Sequence, residues 1–144
     1  MIVLDTNVIS EIMRERPDPV VLTWLNHQPE KDLWTTSVVI AELLVGIEMS
    51  PPGRKQKALR EAVEGMIADD FRGQVVAFNL PAARLYAEIV ASRKKIGRPI
   101  REMDAQIAAV ARVHGATLAT RDVRDFAGCD LDLVNPWVRG DTGE

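Results

Sequence analysis

The chain reads as a single α/β domain, a central and mostly parallel sheet flanked by helices. Short apolar runs of strand length recur along it: Ile2-Val3-Leu4, Leu33-Trp34-Thr35-Thr36, Val75 to Phe78, Ala116 to Thr120 and Leu133-Val134. Longer segments with apolar residues every three or four positions separate them. That alternation, in 144 residues without repeat, linker or low-complexity segment, points to parallel strands covered by helices.

The first strand, residues 2–5, leads into a helix from about Asn7, with Asp5 or Thr6 as its N-cap. Pro19 to Asn26 forms a second short helix. After the strand Leu33–Thr36, Ser37 is the expected N-cap of a helix through Val38–Ile47. Pro51-Pro52-Gly53 breaks the chain, after which Leu59, Ala62, Val63, Met66 and Ile67 follow helical spacing. Pro81 is placed to open a further helix, with Leu85, Tyr86, Ile89 and Val90 on one side and an end near Gly97. The last long helix runs from about Met103 to His114 and is closed by Gly115. The domain is expected to span residues 1–138, followed by a short polar tail at 139–144.

Composition narrows the class. Hydrophobic residues make up 47% of the chain, too many for a disordered one. No apolar run approaches the roughly 18 residues of a membrane span, and no basic stretch precedes a hydrophobic one at the start. A cytoplasmic protein is the expectation. The single Cys129 has no disulfide partner within the chain, and one Cys with two scattered His lacks zinc-ligand spacing. Cys129 is expected to be a partly buried small residue.

The acids are the most informative feature. Glu42 is the only polar side chain from Val38 to Ile47, on a helix so apolar that it belongs in a core or an interface. A lone carboxylate there is costly unless something neutralises it. Asp5 ends an apolar strand, Asp104 sits beside Met103, Ile107, Ala108 and Ala111, and Asp122 follows the strand Ala116–Thr120. Asp5 and Asp122 at strand ends, with Glu42 and Asp104 in early helical turns, converge at the carboxyl edge of a parallel sheet, where such folds build their sites. One shared cation would reconcile four acids on core-facing elements. Each acid also has a plain reading: Asp5 as a cap, Glu42 paired with an arginine such as Arg101, Asp104 as a first-turn acid, Asp122 as a turn residue.

A net charge of −3 at first disfavours a nucleic-acid partner. Setting the four acids aside leaves 17 acids against 18 bases, a nearly balanced surface on which local clusters matter. Arg93-Lys94-Lys95 with Arg98 and Arg101 is the densest, leads towards Asp104, and reads equally as a phosphate contact or a solvated face. Arg54-Lys55-Lys57-Arg60 reads as a solvated face. Arg121 is either a phosphate contact or a surface charge.

The segments Val3-Leu4-Asp5-Thr6-Asn7, Ala41-Glu42, Met103-Asp104-Ala105-Gln106-Ile107-Ala108 and Thr120-Arg121-Asp122 resemble the PIN-domain nucleases. More narrowly, with the closing Val134-Asn135-Pro136-Trp137, they look like the VapC/FitB toxins of bacterial toxin–antitoxin systems. The resemblance implies a metal-dependent endoribonuclease held inactive by a co-expressed antitoxin. It further implies a homodimer, a larger assembly with the antitoxin, and contact with DNA only through that antitoxin. Asp5, Glu42 and Asp104 match the three acids that bind Mg²⁺ or Mn²⁺, and Asp122 matches a fourth position where the family shows Asp or Asn. Asp125 follows closely enough to supplement or replace it. Thr6 and Thr120 match hydroxyls that line the pocket.

The chemistry is coherent on its own terms. Carboxylates and waters suit a hard divalent ion, which activates water and offsets phosphate charge. A metal-free ribonuclease would instead need side chains titrating near neutrality, and His27, in a loop, and His114, at a helix end, make poor candidates. Two rivals come from other classes. A non-catalytic binding module would use the apolar helix around Glu42 as an interface but has no need of four acids. A phosphotransfer protein or phosphatase is disfavoured by Asn7 in place of a second Asp and by the lack of a glycine-rich phosphate loop.

Overall fold

A computed structural model describes residues 1–139. Its five strands are β1 (Ile2–Leu4), β2 (Leu33–Thr36), β3 (Val75–Val76), β4 (Thr117–Ala119) and β5 (Asp132–Val134). They form one sheet in the order β3-β2-β1-β4-β5, every neighbouring pair parallel. Six helices flank it: α1 (Thr6–Ile12), α2 (Pro19–Asn26), α3 (Ser37–Glu48), α4 (Arg54–Gly65), α5 (Leu80–Lys95) and α6 (Glu102–Val113). The α/β reading holds, and the sheet is parallel throughout.

Strand order decides where the site lies. The chain steps outward from β1 through β2 to β3, then returns to lay β4 on the other side of β1. Direction therefore reverses between β1 and β4, whose last residues pair as Leu4 with Ala119. Such a reversal leaves a crevice at the carboxyl ends of the two strands. Asp5 and Thr120 are the next residues on each. The Asp5 N–H still donates to the Ala119 carbonyl at 2.9 Å, so the two are held side by side.

The core explains why both strands sit at the centre. Val3, Leu4, Leu118 and Ala119 are fully buried, as are Val8 and Ile9 of α1. Helix α6 is the most deeply packed, with Asp104, Ala105 and Ile107 through Ala111 all buried. Its alanines let α5, α3 and β4 approach closely without loss of side-chain entropy. The helix ends in a Schellman turn: Ala116 N–H reaches the Ala111 carbonyl at 3.0 Å and Gly115 N–H reaches that of Arg112 at 3.1 Å. Gly115 takes φ +59° there, a conformation that suits glycine.

Several expectations shift. Thr36, not Ser37, caps α3: its hydroxyl accepts from Val39 N–H at 3.1 Å, while Ser37 is the first helical residue and its hydroxyl accepts from Phe78 N–H at 3.3 Å. Glu42 lies in the second turn of α3 and is only half-buried. The apolar helix that carries it is not enclosed either, since Val45 is 59% and Met49 82% exposed. Periodicity reports how apolar a helix is, not what covers it, and one chain leaves that side open. Strand β1 stops at Leu4, β3 covers only Val75–Val76, and α4 runs into a wider turn at Met66–Asp70. Cys129 is wholly rather than partly buried. Residues 140–144, nearly all of the expected tail, lie outside the described residues. No helix among the described residues is long and apolar enough to cross a membrane.

Because Thr36 is the cap, Thr36→Ala is expected to lower unfolding free energy by about 0.5–2 kcal/mol and Ser37→Ala by less. Urea denaturation of the two variants in parallel checks this.

Candidate active site

Asp5 anchors the crevice. One carboxylate oxygen accepts from Thr6 N–H at 2.8 Å, making Asp5 the N-cap of α1, and the other accepts from the Thr120 hydroxyl at 2.7 Å. The cap reading therefore holds, and capping leaves Asp5 on the wall of the crevice. With 4% of its surface exposed, Asp5 is desolvated more strongly than these two bonds compensate, and nearby Asp104 and Glu42 add repulsion. Its pKa is pushed up to about 6.

Thr120 is the hub. Its hydroxyl donates to Asp5 and accepts from Asp122 N–H at 3.1 Å and from the Asn7 amide at 3.4 Å. One donor and two lone pairs are all a hydroxyl has, and all are used. The Asn7 amide also donates to the Asp122 carboxylate at 3.1 Å, and its oxygen accepts from Arg121 N–H at 3.3 Å. Across the crevice, the Thr6 hydroxyl donates to Glu42 at 3.0 Å. Asp104, buried in the first turn of α6, accepts from Arg101 Nε at 3.1 Å, which raises the arginine's pKa further. The paired-ion alternative thus belongs to Asp104, not to Glu42.

Asp5, Glu42, Asp104 and Asp122 line one open cleft of about 460 Å³ with Thr6, Asn7, Glu11, Arg101, Arg121 and Trp137. Asp125 faces a second hollow beside it, shared with Asp104, Asp122 and Arg101. Asp122 therefore borders both spaces and Asp125 only the outer one.

The PIN domain family matches residues 2–129. The chain is 40% identical over 137 residues to the VapC ribonuclease Y4jK of Sinorhizobium fredii, covering 95% of this chain and 98% of that one. It is 39% identical over 137 residues to toxin FitB of Neisseria gonorrhoeae, covering 95% and 99%. The chain belongs to the PIN-domain VapC/FitB family. Among solved structures, FitAB bound to an IR36 DNA fragment superposes on the PIN domain with a TM-score of 0.88 at 38% identity, covering 96% of both chains.

Among the described residues of this PIN domain, no three acids form a ready-made ligand cage. Each is instead drawn to a partner of its own: Asp5 to Thr120, Glu42 to Thr6, Asp104 to Arg101 and Asp122 to Asn7. Carboxylates that repel one another are expected to be held apart in this way.

The basic cluster divides. Arg93 is not a phosphate contact. It is 4% exposed, and its guanidinium donates at 2.7 Å to the carbonyls of both Arg98 and Asp125. It occupies the α5 position that faces inward, so it clamps the turn after α5 to the turn after Asp122. Lys94, Lys95 and Arg98 are exposed but line neither space around the acids. Arg101 and Arg121 do line the cleft.

Asn7 and Glu11 are among the cleft residues that carried no assigned role. Asn7 stood within the Asp-Thr-Asn segment, and its place in the first turn after a site aspartate was the available signal. Glu11 follows it by one helical turn on the same face and is buried, satisfied by Arg14 at 3.3 Å and Asp18 N–H at 3.0 Å. His27 and His114 are exposed C-caps and line no part of the cleft.

A carboxyl that binds its proton more tightly when folded stabilises the fold at low pH and loses that contribution as pH rises. From the ordinary 3.8 to about 6, the ion-free PIN domain is expected to lose about 3 kcal/mol as pH climbs from about 4 to 6. Asp5→Asn is expected to flatten that dependence and to make the chelator-treated protein more stable than wild type at pH 7.5. Urea melts in EDTA across pH 4–8 check both.

Proposed function

We propose that this chain is the endoribonuclease toxin of a toxin–antitoxin pair, cleaving RNA with Mg²⁺ or Mn²⁺ and held inactive by its cognate antitoxin. One observation carries the reading: four carboxylates from β1, α3, α6 and the turn after β4 converge on one cleft, and burial and mutual repulsion leave Asp5 protonating near neutrality.

The donor set fits a hard divalent cation. It is all oxygen, with carboxylates in excess and hydroxyls beside them. Among the described residues, Arg101 is the only base paired with any of the four. Asp5, Glu42, Asp104 and Asp122 would hold the ion, with waters completing a shell that four separated acids do not close. Such an ion, when bound, supplies Lewis acidity, lowering the pKa of water and offsetting charge on a phosphate.

The chain's own groups do the rest. Thr120 and Thr6 fix the Asp5 and Glu42 carboxylates, each by an oxygen, so that they are already oriented when substrate arrives. Asn7 fixes Asp122. Arg101 and Arg121 present cations to the phosphodiester from the cleft lining, and the exposed Lys94, Lys95 and Arg98 add positive charge outside it. Water attacks phosphorus, the bond to the 3′ oxygen breaks, and that oxygen takes up a proton. The products are a 5′-phosphate and a 3′-hydroxyl.

Partners follow from the surface. A groove of about 990 Å³ between α1, α3 and α4 is lined by Met13, Leu43, Ile47, Leu59 and Val63 and opens onto the acids at Thr6, Ser10, Arg14 and Glu42. An antitoxin segment lying there would cover apolar surface and reach the cleft together. The exposed Val45 of α3 and Met49 just after it suit a homodimer contact. These surfaces accommodate the binding-module alternative as well, but binding alone gives no reason to bury Asp5 and Asp104. DNA contact passes through the antitoxin, and the expected compartment is the cytoplasm.

Asp5→Asn and Asp104→Asn are each expected to reduce RNA cleavage at least 100-fold and to relieve growth inhibition, with unchanged circular dichroism. EDTA is expected to abolish wild-type cleavage and added Mg²⁺ or Mn²⁺ to restore it. Sequencing 5′-phosphate ends of RNA from cells expressing wild type or Asp5→Asn without antitoxin reads the outcome. A folded Asp5→Asn protein that cleaves at the wild-type rate contradicts the assignment.

A further inference from the structure

Arg121 and Trp137 form a feature that ion binding does not use. The Arg121 guanidinium carbon lies 4.9 Å from the centroid of the Trp137 ring, within cation–π range. Both residues line the cleft that holds the acids. Although Asp122 follows it directly, Arg121 forms no ion pair among the described residues.

The pair is held by its backbone on both sides. The Asn135 amide donates to the Arg121 carbonyl at 3.4 Å, and the Asn135 side-chain oxygen accepts from Trp137 N–H at 2.9 Å. Asn7, which positions Asp122, also accepts from Arg121 N–H. The register between the stacked pair and the site acids is thus fixed through two asparagines. Trp137 is half-buried and covers one side of the guanidinium, whereas Arg121 itself is exposed at the cleft. The guanidinium is itself planar and cationic, and it borders the cleft in which, on the nuclease reading, a phosphate would sit.

Resting on the nuclease reading above, we propose that Arg121, backed by Trp137, is a stacking platform for one unpaired RNA base next to the scissile phosphate. Unstacked bases of single-stranded RNA pack on arginine planes and aromatic rings, and each such stack contributes substantially whatever the base. Here the tryptophan pre-orders the plane, so little side-chain freedom is lost when a base arrives. A paired base in a duplex is already stacked and gains nothing, so the platform selects single-stranded substrates. A lysine at 121 keeps the charge but has no plane.

The test uses a short single-stranded oligonucleotide spanning a site that the wild type cuts, with an abasic residue placed at each position in turn. Affinity is measured by fluorescence anisotropy in an Asp5→Asn background, where RNA stays intact. One position beside the scissile phosphate is expected to lose about tenfold in affinity when its base is removed. In Arg121→Lys and in Trp137→Phe, the former on an exposed side chain and the latter conserving an aromatic packing group, the intact oligonucleotide binds more weakly. In Arg121→Lys that abasic penalty disappears. An unchanged penalty in Arg121→Lys, or no base-dependent position at all, overturns the platform. Wild-type cleavage of the same intact oligonucleotide is scored separately, so failure of the platform is distinguishable from failure of the nuclease reading.

Discussion

The hydrogen bond from the Thr120 hydroxyl to the Asp5 carboxylate, 2.7 Å long and fully buried, joins the two strands at the point where the sheet reverses direction. Asp5 ends β1 and begins α1, and Thr120 ends β4 and begins the turn that carries Asp122. A carboxylate in that position is unfavourable in isolation, because burial penalises its charge. The fold accepts it because two donors satisfy it from the backbone and from Thr120, and because the crevice opens to solvent through the cleft. The residual penalty is stored in a pKa of about 6. The site thus carries surplus negative charge with Arg101 as the base paired to its acids among the described residues.

Around that bond the architecture is economical in its parts. α6 packs its alanines against α5, α3 and β4, which brings Asp104 to the cleft without a long side chain having to reach. The buried Arg93 closes the outer wall by bridging the carbonyls of Arg98 and Asp125. An arginine there serves geometry, while Arg101 and Arg121 stay exposed and line the cleft. The apolar groove between α1, α3 and α4 and the acid cleft share Glu42 and Thr6, so occupancy of one bears directly on the other.

Much of this was legible from the residues. The β/α alternation follows from short apolar runs between helically spaced segments, and the convergence of Asp5, Glu42, Asp104 and Asp122 from their places at strand ends and in early helical turns. What stayed hidden depends on tertiary placement. Arg93 looked like its neighbours Lys94 and Lys95 because charge runs do not reveal which residue faces inward. Glu42 looked buried because an apolar helix does not declare whether its cover comes from the same chain. The capping role fell to Thr36 over Ser37 because two adjacent hydroxyls offer the same chemistry and only the strand's end decides. Glu11 was missed because its charge is answered by the close-by Arg14 and Asp18 N–H, leaving no irregularity in the pattern.

That the acids at the sheet's switch point hold a divalent ion is the proposal on which the nuclease reading rests. Calorimetric titration of Mn²⁺ into the chelator-stripped protein, repeated in buffers of differing ionisation enthalpy, addresses it most directly. With its pKa pushed up to about 6, Asp5 is partly protonated near that pH, so saturable binding should release a fraction of a proton per ion, and Asp5→Asn should diminish that release. Mn²⁺ binding that is absent from the folded wild type, or that proceeds with the same proton release in Asp5→Asn, would contradict it.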